Sequence, residues 1–298
     1  MVICCVLLFP HFVARGENQW AGVVAPIAQN EKQWVVLIEN LTKNGMYYGA
    51  LAAAEQMLAF FDNVETKENA YKTIVKVIDQ GYPFSTSRSF VAGDIEPQTR
   101  TDFADSYYLY KAIINKDNNF KKWSDSHFEK INRDSSYKFR FYKAIEAYRA
   151  SDFNTAERYM REILKSDVTL DNSMLPFIRK VARTLARVLF EQKQYEKSLE
   201  IYETFLLKLN PVTRTDWLEA AWNYYYLERY QKALGILYNM EADYPRQRIN
   251  FETYIIRALV YKKLCSLEHI GDLVADFKRE YGQTIDAILN GKSLNDLP

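Results

Sequence analysis

The stretch from Trp217 to Pro245, WLEAAWNYYYLERYQKALGILYNMEADYP, decides the fold. Its opening reads Trp217-x-x-Ala220-Ala221-x-x-Tyr224, which puts two aromatics and two small residues on one helical face. Leu227-Glu228-Arg229-Tyr230 breaks that period. Ala233, Leu237 and Met240 then recur at i, i+4 and i+7, the face of a second helix. Ala221 is small where the two helices would cross. Pro245 lacks the N–H that a continuing helix needs, so the second helix must stop there. The unit reads as a helical hairpin.

The same frame can be laid along most of the chain. Ala182-x-x-Leu185-Ala186-x-x-Leu189 leads to Gln194-Tyr195, Ser198, Tyr202, Phe205 and Pro211. Arg140-x-x-Lys143-Ala144-x-x-Ala147 leads to Asp152-Phe153, Ala156, Met160 and Ile163, and Tyr254-x-x-Arg257-Ala258-x-x-Tyr261 to Leu267, Ile270, Val274 and Phe277. Near the start, Trp34-x-x-Leu37-Ile38-x-x-Leu41 leads to Gly45, Tyr47, Ala50 and Met57. A weaker copy opens at Tyr107 and has lost its small residues. A half copy opens at Tyr71, with the loop at 85–101 in place of its second helix. The openings at 34, 71, 107, 140, 182, 217 and 254 are separated by 37, 36, 33, 42, 35 and 37 residues. A period near 34 with small insertions favours a solenoid over a closed bundle, because each hairpin buries one side and needs a neighbour to complete its core.

The unit resembles the tetratricopeptide repeat, a 34-residue helix–turn–helix whose pattern opens W-x2-L-G-x2-Y and later carries an alanine, a large apolar residue and a proline. Ala220-Ala221 stands where that family has Leu-Gly and keeps the small residue. The resemblance implies an all-α, right-handed α-solenoid of about six to seven stacked antiparallel helix pairs, the N-terminal ones degenerate. The expected organisation is a signal peptide over 1–16, a linker over 17–30, degenerate units over 31–135, a regular array over 138–283, and a short capping helix and tail over 284–298.

Composition agrees. Of 298 residues, 10 are glycine and 8 are proline, too few for a turn-rich β fold or a disordered chain. With 39 Lys+Arg against 38 Asp+Glu, no global field draws the chain to nucleic acid or to an anionic membrane. The 22 Tyr and 17 Phe suit helices that use aromatic rings to pack. Cys4, Cys5 and Cys265 form no C-x-x-C pair and no zinc-spaced cluster, and Cys265 is expected to be a packed structural thiol. His127 and His269 are expected on the second helices of different units. No phosphate-binding glycine loop, dinucleotide fingerprint, metalloprotease helix or nucleophile elbow occurs. No cofactor, metal or catalytic residue is therefore assigned. Asn40-Leu41-Thr42 matches a glycosylation acceptor but lies inside an expected helix.

Val2 to Ala14 is an apolar run too short to cross a bilayer and of the length of a signal-peptide core. Ala14 and Gly16 place small residues two apart, so cleavage after Gly16 is expected, with a periplasmic, secreted or envelope location. No Lys or Arg precedes the run, and Pro10-His11 interrupts it, so a cytosolic chain is the alternative. If the leader is kept, it is the one expected membrane contact.

In the resembled family, first helices line a concave face that takes an extended peptide or a partner helix. Here that face would carry Lys138, Phe141 and Arg149, then Lys180, Arg183 and Arg187, then Leu218, Trp222, Tyr225 and Tyr226, and finally Lys263. Arg179, Arg183 and Arg187 recur at i, i+4 and i+8 and share a helix face. Two readings follow. In one, the arginines and aromatics hold an acidic, apolar partner segment, with no role for nucleic acid. In the other, the arginines pair with carboxylates of a neighbouring helix, and Trp222 and Tyr225 pack between repeats. The Lys/Asn clamp by which some members hold a C-terminal carboxylate is missing, since Glu219 and Glu252 stand at its positions. The rivals to a non-catalytic adaptor are a cytosolic regulatory repeat protein and a cell-wall-acting enzyme with a site in 85–135.

Overall fold

The computed structural model describes residues 31–79, 95–97, 102–117, 119–208, 212–243 and 251–291. Among these the regular structure is helical, without strands. The α-helices are α1 (Glu31–Lys43), α2 (Tyr47–Phe60), α3 (Val64–Asp79), α4 (Asp102–Asp117), α5 (Lys121–Glu129), α6 (Tyr137–Arg149), α7 (Phe153–Leu164), α8 (Leu175–Glu191), α9 (Tyr195–Ile201), α10 (Arg214–Tyr226), α11 (Tyr230–Asp243), α12 (Phe251–Lys263) and α13 (Leu267–Leu289). A π turn, Tyr202–Leu206, prolongs α9. Two 3-10 turns, Asp167–Leu170 and Asn172–Met174, are the insertion behind the 42-residue step. The leader, the linker, most of the 85–101 loop, Pro211, Pro245 and residues 292–298 lie outside the described residues.

The all-α helical-repeat fold implied by the frame is the one found. Neighbours pack in pairs, α1 on α2, α4 on α5, α10 on α11 and α12 on α13. Within each unit a hairpin also takes the element that follows it. Helix α3 packs on both α1 and α2, and α12 on both α10 and α11.

One turn closes the hairpins, and it repeats without change. In six of the seven units, eleven residues after the opening residue (Tyr108 in the unit expected to open at 107), the backbone enters the left-handed region, at Gly45, Asn119, Ser151, Lys193, Glu228 and Cys265, with φ between 53 and 71°. The next N–H bonds back five residues into the first helix: Met46 to Leu41, Phe120 to Asn115, Asp152 to Ala147, Gln194 to Leu189, Arg229 to Tyr224 and Ser266 to Tyr261, at 2.7–2.9 Å. The turn residue itself bonds back three residues, as in Glu228 to Tyr225 at 3.0 Å. This pair of bonds satisfies carbonyls that a helix end would otherwise leave open. Five of the six turn residues carry a side chain where glycine is the low-strain choice.

The turn corrects the frame of the weak repeat. Asn119 lies eleven residues after Tyr108, not after Tyr107, so that unit opens one residue later than expected. The shift restores the small residues. Ala112 and Ser124 meet at the helix crossing, where Ser124 Oγ donates to the Ala112 carbonyl at 2.9 Å. Ser198 Oγ donates to the Ala186 carbonyl at 2.8 Å in the unit that opens at 182. Ala186 and Ala221, the small positions read from sequence, are fully buried.

Contacts divide the chain into two compact units, 1–146 with 170–177, and 147–169 with 178–298. The boundary falls within α6 and α8, whereas the sequence boundary was expected at 135–138. The first unit is built on Trp34, Ala53, Met57, Tyr71, Ile74 and Tyr107, all buried. The second buries Met160, Leu185, Leu189, Tyr202, Leu237 and Ile256. The expected break before a capping helix at 284 is absent, since α13 runs unbroken through Gly282 to Leu289. The apolar period Phe277, Tyr281, Ile288 carries on past the glycine, whose helical cost is only about 1 kcal/mol. Cys265 is a second correction. It is exposed, because the left-handed turn residue projects outward from the hairpin.

Candidate functional site

The residues expected on one binding face divide between the two units. In the first unit, Lys138 Nζ bonds Asp79 Oδ2 at 2.5 Å and Ser106 Oγ at 2.8 Å. The Tyr110 hydroxyl donates to the other Asp79 oxygen at 2.6 Å. Phe141 is buried against the edge of Phe177, ring centroids 5.8 Å apart. Lys138 and Phe141 therefore join helices within the first unit.

In the second unit the arginine stripe meets carboxylates. Asp216 is completely buried in the first turn of α10. It closes a capping box with Thr213, whose hydroxyl accepts from the Asp216 N–H at 3.2 Å. Arg179 reaches Asp216 Oδ2 and Arg183 reaches Oδ1, each at 2.8 Å. Burial pushes the Asp216 carboxyl up, but the bonds from Arg183 and Thr213 outweigh it and hold the group below its ordinary value. Arg187 grips Glu219 with two nitrogens, Nη2 at 2.6 Å and Nε at 3.0 Å, and Glu219 also accepts from the Tyr202 hydroxyl. The Trp222 indole N–H donates to Glu252 Oε1 at 2.6 Å. The two glutamates that replace the family's clamp residues thus serve as rungs between successive first helices.

Trp222 and its neighbours form a continuous aromatic cluster. Tyr226 is its hub. It stacks on Tyr195 at 4.8 Å and 12°, meets Phe190 edge-on at 5.4 Å, and lies 5.4 Å from Tyr225 and 6.0 Å from Trp222. Tyr225 continues the cluster to Tyr230 at 6.0 Å. Such pairs add about 0.5–1.5 kcal/mol each beyond the area they bury. Tyr226 nevertheless remains 47% exposed. Phe190 and Tyr195 were missed as site residues, although a sequence signal exists. An aromatic at the eighth and another at the thirteenth residue after the opening clasp three of the six turns, Tyr148 with Phe153, Phe190 with Tyr195 and Tyr225 with Tyr230.

Of the other expected face residues, Leu218 is buried and Tyr225 half-buried, while Arg149, Lys180 and Lys263 are exposed. Along α12, Ile255 is 53% exposed and Leu259 half-buried, two turns and one turn before Lys263. The face therefore combines apolar side chains in contact with water, paired charges and a few exposed cations.

The first unit holds a polar cavity of about 660 Å³ lined by Glu96, Asp105, Tyr108, Lys130 and Arg133. Two of its carboxylates have partners. Lys130 pairs with Glu96 at 3.1 Å, and Asp105 accepts the Asn132 N–H at 3.0 Å. No group of His, Cys, Asp and Glu suited to a metal occurs among the described residues. The described carboxyls with resolved shifts, at Asp62, Glu146, Asp152 and Asp216, all lie below their ordinary values, the direction opposite to that of a general acid.

No family model matches the chain, and no curated protein matches it. Among solved structures it is similar to one from a study of Pseudomonas aeruginosa PilF, at 14% identity and a TM-score of 0.43, covering 86% of this chain and 96% of that one. It is also similar to yeast Tom70, at 15% identity and a TM-score of 0.42, covering 82% of this chain and 54% of that one, about half of Tom70's length.

Proposed function

We propose that the chain is a non-catalytic protein-interaction scaffold whose binding face is carried by the first helices of the second unit, α8, α10 and α12. The observation that supports it is the aromatic cluster around Tyr226. A ring held by Tyr195, Phe190 and Trp222 stays nearly half exposed. A rigid, amphipathic aromatic on a preorganised surface is the usual anchor of a protein interface. The partner is an extended peptide or an amphipathic helix that presents an apolar residue to Tyr226 and Trp222. Its acidic positions would meet the exposed Arg149 and Lys263, because Arg183 and Arg187 already have carboxylates. The apolar leader supports export to the envelope, and a reporter fused to residues 1–30 tests that compartment.

The face is tested by selecting binders from a random displayed-peptide library on the purified full chain. The bound peptide is then mapped by hydrogen exchange. Protection over α8, α10 and α12 is the expected result. Selected peptides that protect other helices, or a library that yields none, would overturn the assignment.

A further inference from the structure

We infer that α13 carries a self-association surface, through which two copies of the chain pair in antiparallel fashion. The argument begins with three positions of the repeat, 14, 20 and 21 residues after the opening. In the unit opening at 182 they are Glu196, Tyr202 and Glu203, and all three hold the next hairpin. Glu196 takes Arg229 at 2.9 Å, Tyr202 donates to Glu219, and Glu203 accepts from Tyr224 at 2.6 Å. In the unit opening at 217, Leu237 is completely buried. Tyr238 bonds the Tyr261 hydroxyl at 2.8 Å and lies under the Arg257 guanidinium at 4.6 Å.

In the unit opening at 254 the same positions are Glu268, Val274 and Ala275, and all are exposed, Val274 at 46%. They lie on one face of α13 with Leu267, 77% exposed, and Leu289, 78% exposed. That face adjoins the one on which Leu273 and Tyr281 are buried. A Cβ placed on Gly271 meets no atom within 4 Å. The surface by which each hairpin takes the next one is thus repeated on α13 with no described helix upon it.

The charges point to a second copy as the occupant. Glu268 lies toward the start of this face and Lys278 ten residues further on, and neither has an ion-pair partner among the described residues. A two-fold axis level with Leu273 sets Glu268 of one copy opposite Lys278 of the other, twice over, and Gly271 opposite Ala275. The small pair allows the helices to approach closely, and the apolar contact at the axis comes from Val274 of both copies. An isologous pairing of this kind closes on itself and does not propagate. Glu268 also repeats the position of Glu196, which already takes an arginine from the following hairpin.

Sedimentation velocity on the full chain tests the assignment, with circular dichroism as the check on folding. The wild type is expected to be dimeric at about 100 μM and to dissociate on dilution or in high salt. Glu268→Lys and Lys278→Glu each place like charges opposite one another twice and should weaken the dimer about tenfold or more. The double variant Glu268→Lys/Lys278→Glu should restore it, an outcome that a merely destabilised fold would not produce. Val274→Lys should give a folded monomer. A wild type that is monomeric at about 100 μM, a dimer indifferent to Val274→Lys, or a double variant no tighter than the singles would overturn the proposal.

Discussion

The two units bind their helices together by different means. In the first, two large rings sit wholly inside. Tyr71 and Tyr107 are fully buried, meet edge-on at 5.0 Å and share one core with the alanines of α2. In the second, successive first helices are joined by polar rungs, Arg179 and Arg183 to Asp216, Arg187 to Glu219, and Trp222 to Glu252. The difference bears on function. Rungs hold a helix face at a fixed spacing while leaving Trp222, Tyr225 and Tyr226 at the surface, whereas Tyr71 and Tyr107 of the first unit are spent as core.

The sharpest way to break this comparison is Asp216→Ala. It strands two guanidinium groups around a buried site and removes half of a capping box. We expect a loss of about 3–5 kcal/mol in urea unfolding, with hydrogen exchange rising in the second unit. A loss below about 1 kcal/mol would mean that the rungs do not hold that unit. The matching change in the first unit, Asp79→Ala, removes a pair still 14% and 24% exposed at its two ends. About 1–2 kcal/mol is expected there, between the surface and buried cases.

Acid should reveal the same contrast from the carboxylate side. Burial raises the Glu146 carboxyl, but bonds from Lys116, Lys143 and Tyr142 bring it from 4.5 down to about 2. A depressed folded value means that its contribution is complete above about pH 4.5 and is lost as the pH falls toward about 2. Glu146→Gln should flatten the dependence of the unfolding midpoint on pH across that window. An unchanged slope would show that the network does not survive in solution. The smallest effect concerns the turns. Glu228→Gly or Lys193→Gly relieves a left-handed residue and should stabilise by about 0.5–1 kcal/mol, while Gly45→Ala should cost about 1 kcal/mol, all read by thermal unfolding.

Much of this was legible before any coordinates. Trp217, Ala221, Ala233, Leu237 and Met240 give the hairpin, because their period is set by the pitch of a helix and their size by the distance at which two helices cross. The unit at 107 was placed one residue early for a physical reason. The run Tyr107-Tyr108-Leu109-Tyr110 offers several aromatics as the opening residue, and the turn that fixes the register, at Asn119, carries no glycine to announce it. Scarce glycine was read correctly as a sign of long helices, but it also hid the turn positions. The partners of the arginine stripe were harder to read. Arg179, Arg183 and Arg187 reveal their shared face from spacing alone, yet Asp216 and Glu219 lie more than thirty residues away, and sequence spacing does not encode which carboxylate a stacked hairpin brings back. The aromatic cluster was half legible. Trp222, Tyr225 and Tyr226 are adjacent in the chain, but Phe190 and Tyr195 arrive from the preceding hairpin.

A face built on α10 is decided by the affinity of one selected peptide for the wild type and for Tyr226→Ala and Trp222→Ala/Tyr226→Ala, by calorimetry on chains shown to unfold at comparable temperatures. An anchor at the centre of an interface should cost at least about 2 kcal/mol, a loss of about thirtyfold, in the single variant and more in the double. Binding that is unchanged in both would contradict a face built on α10.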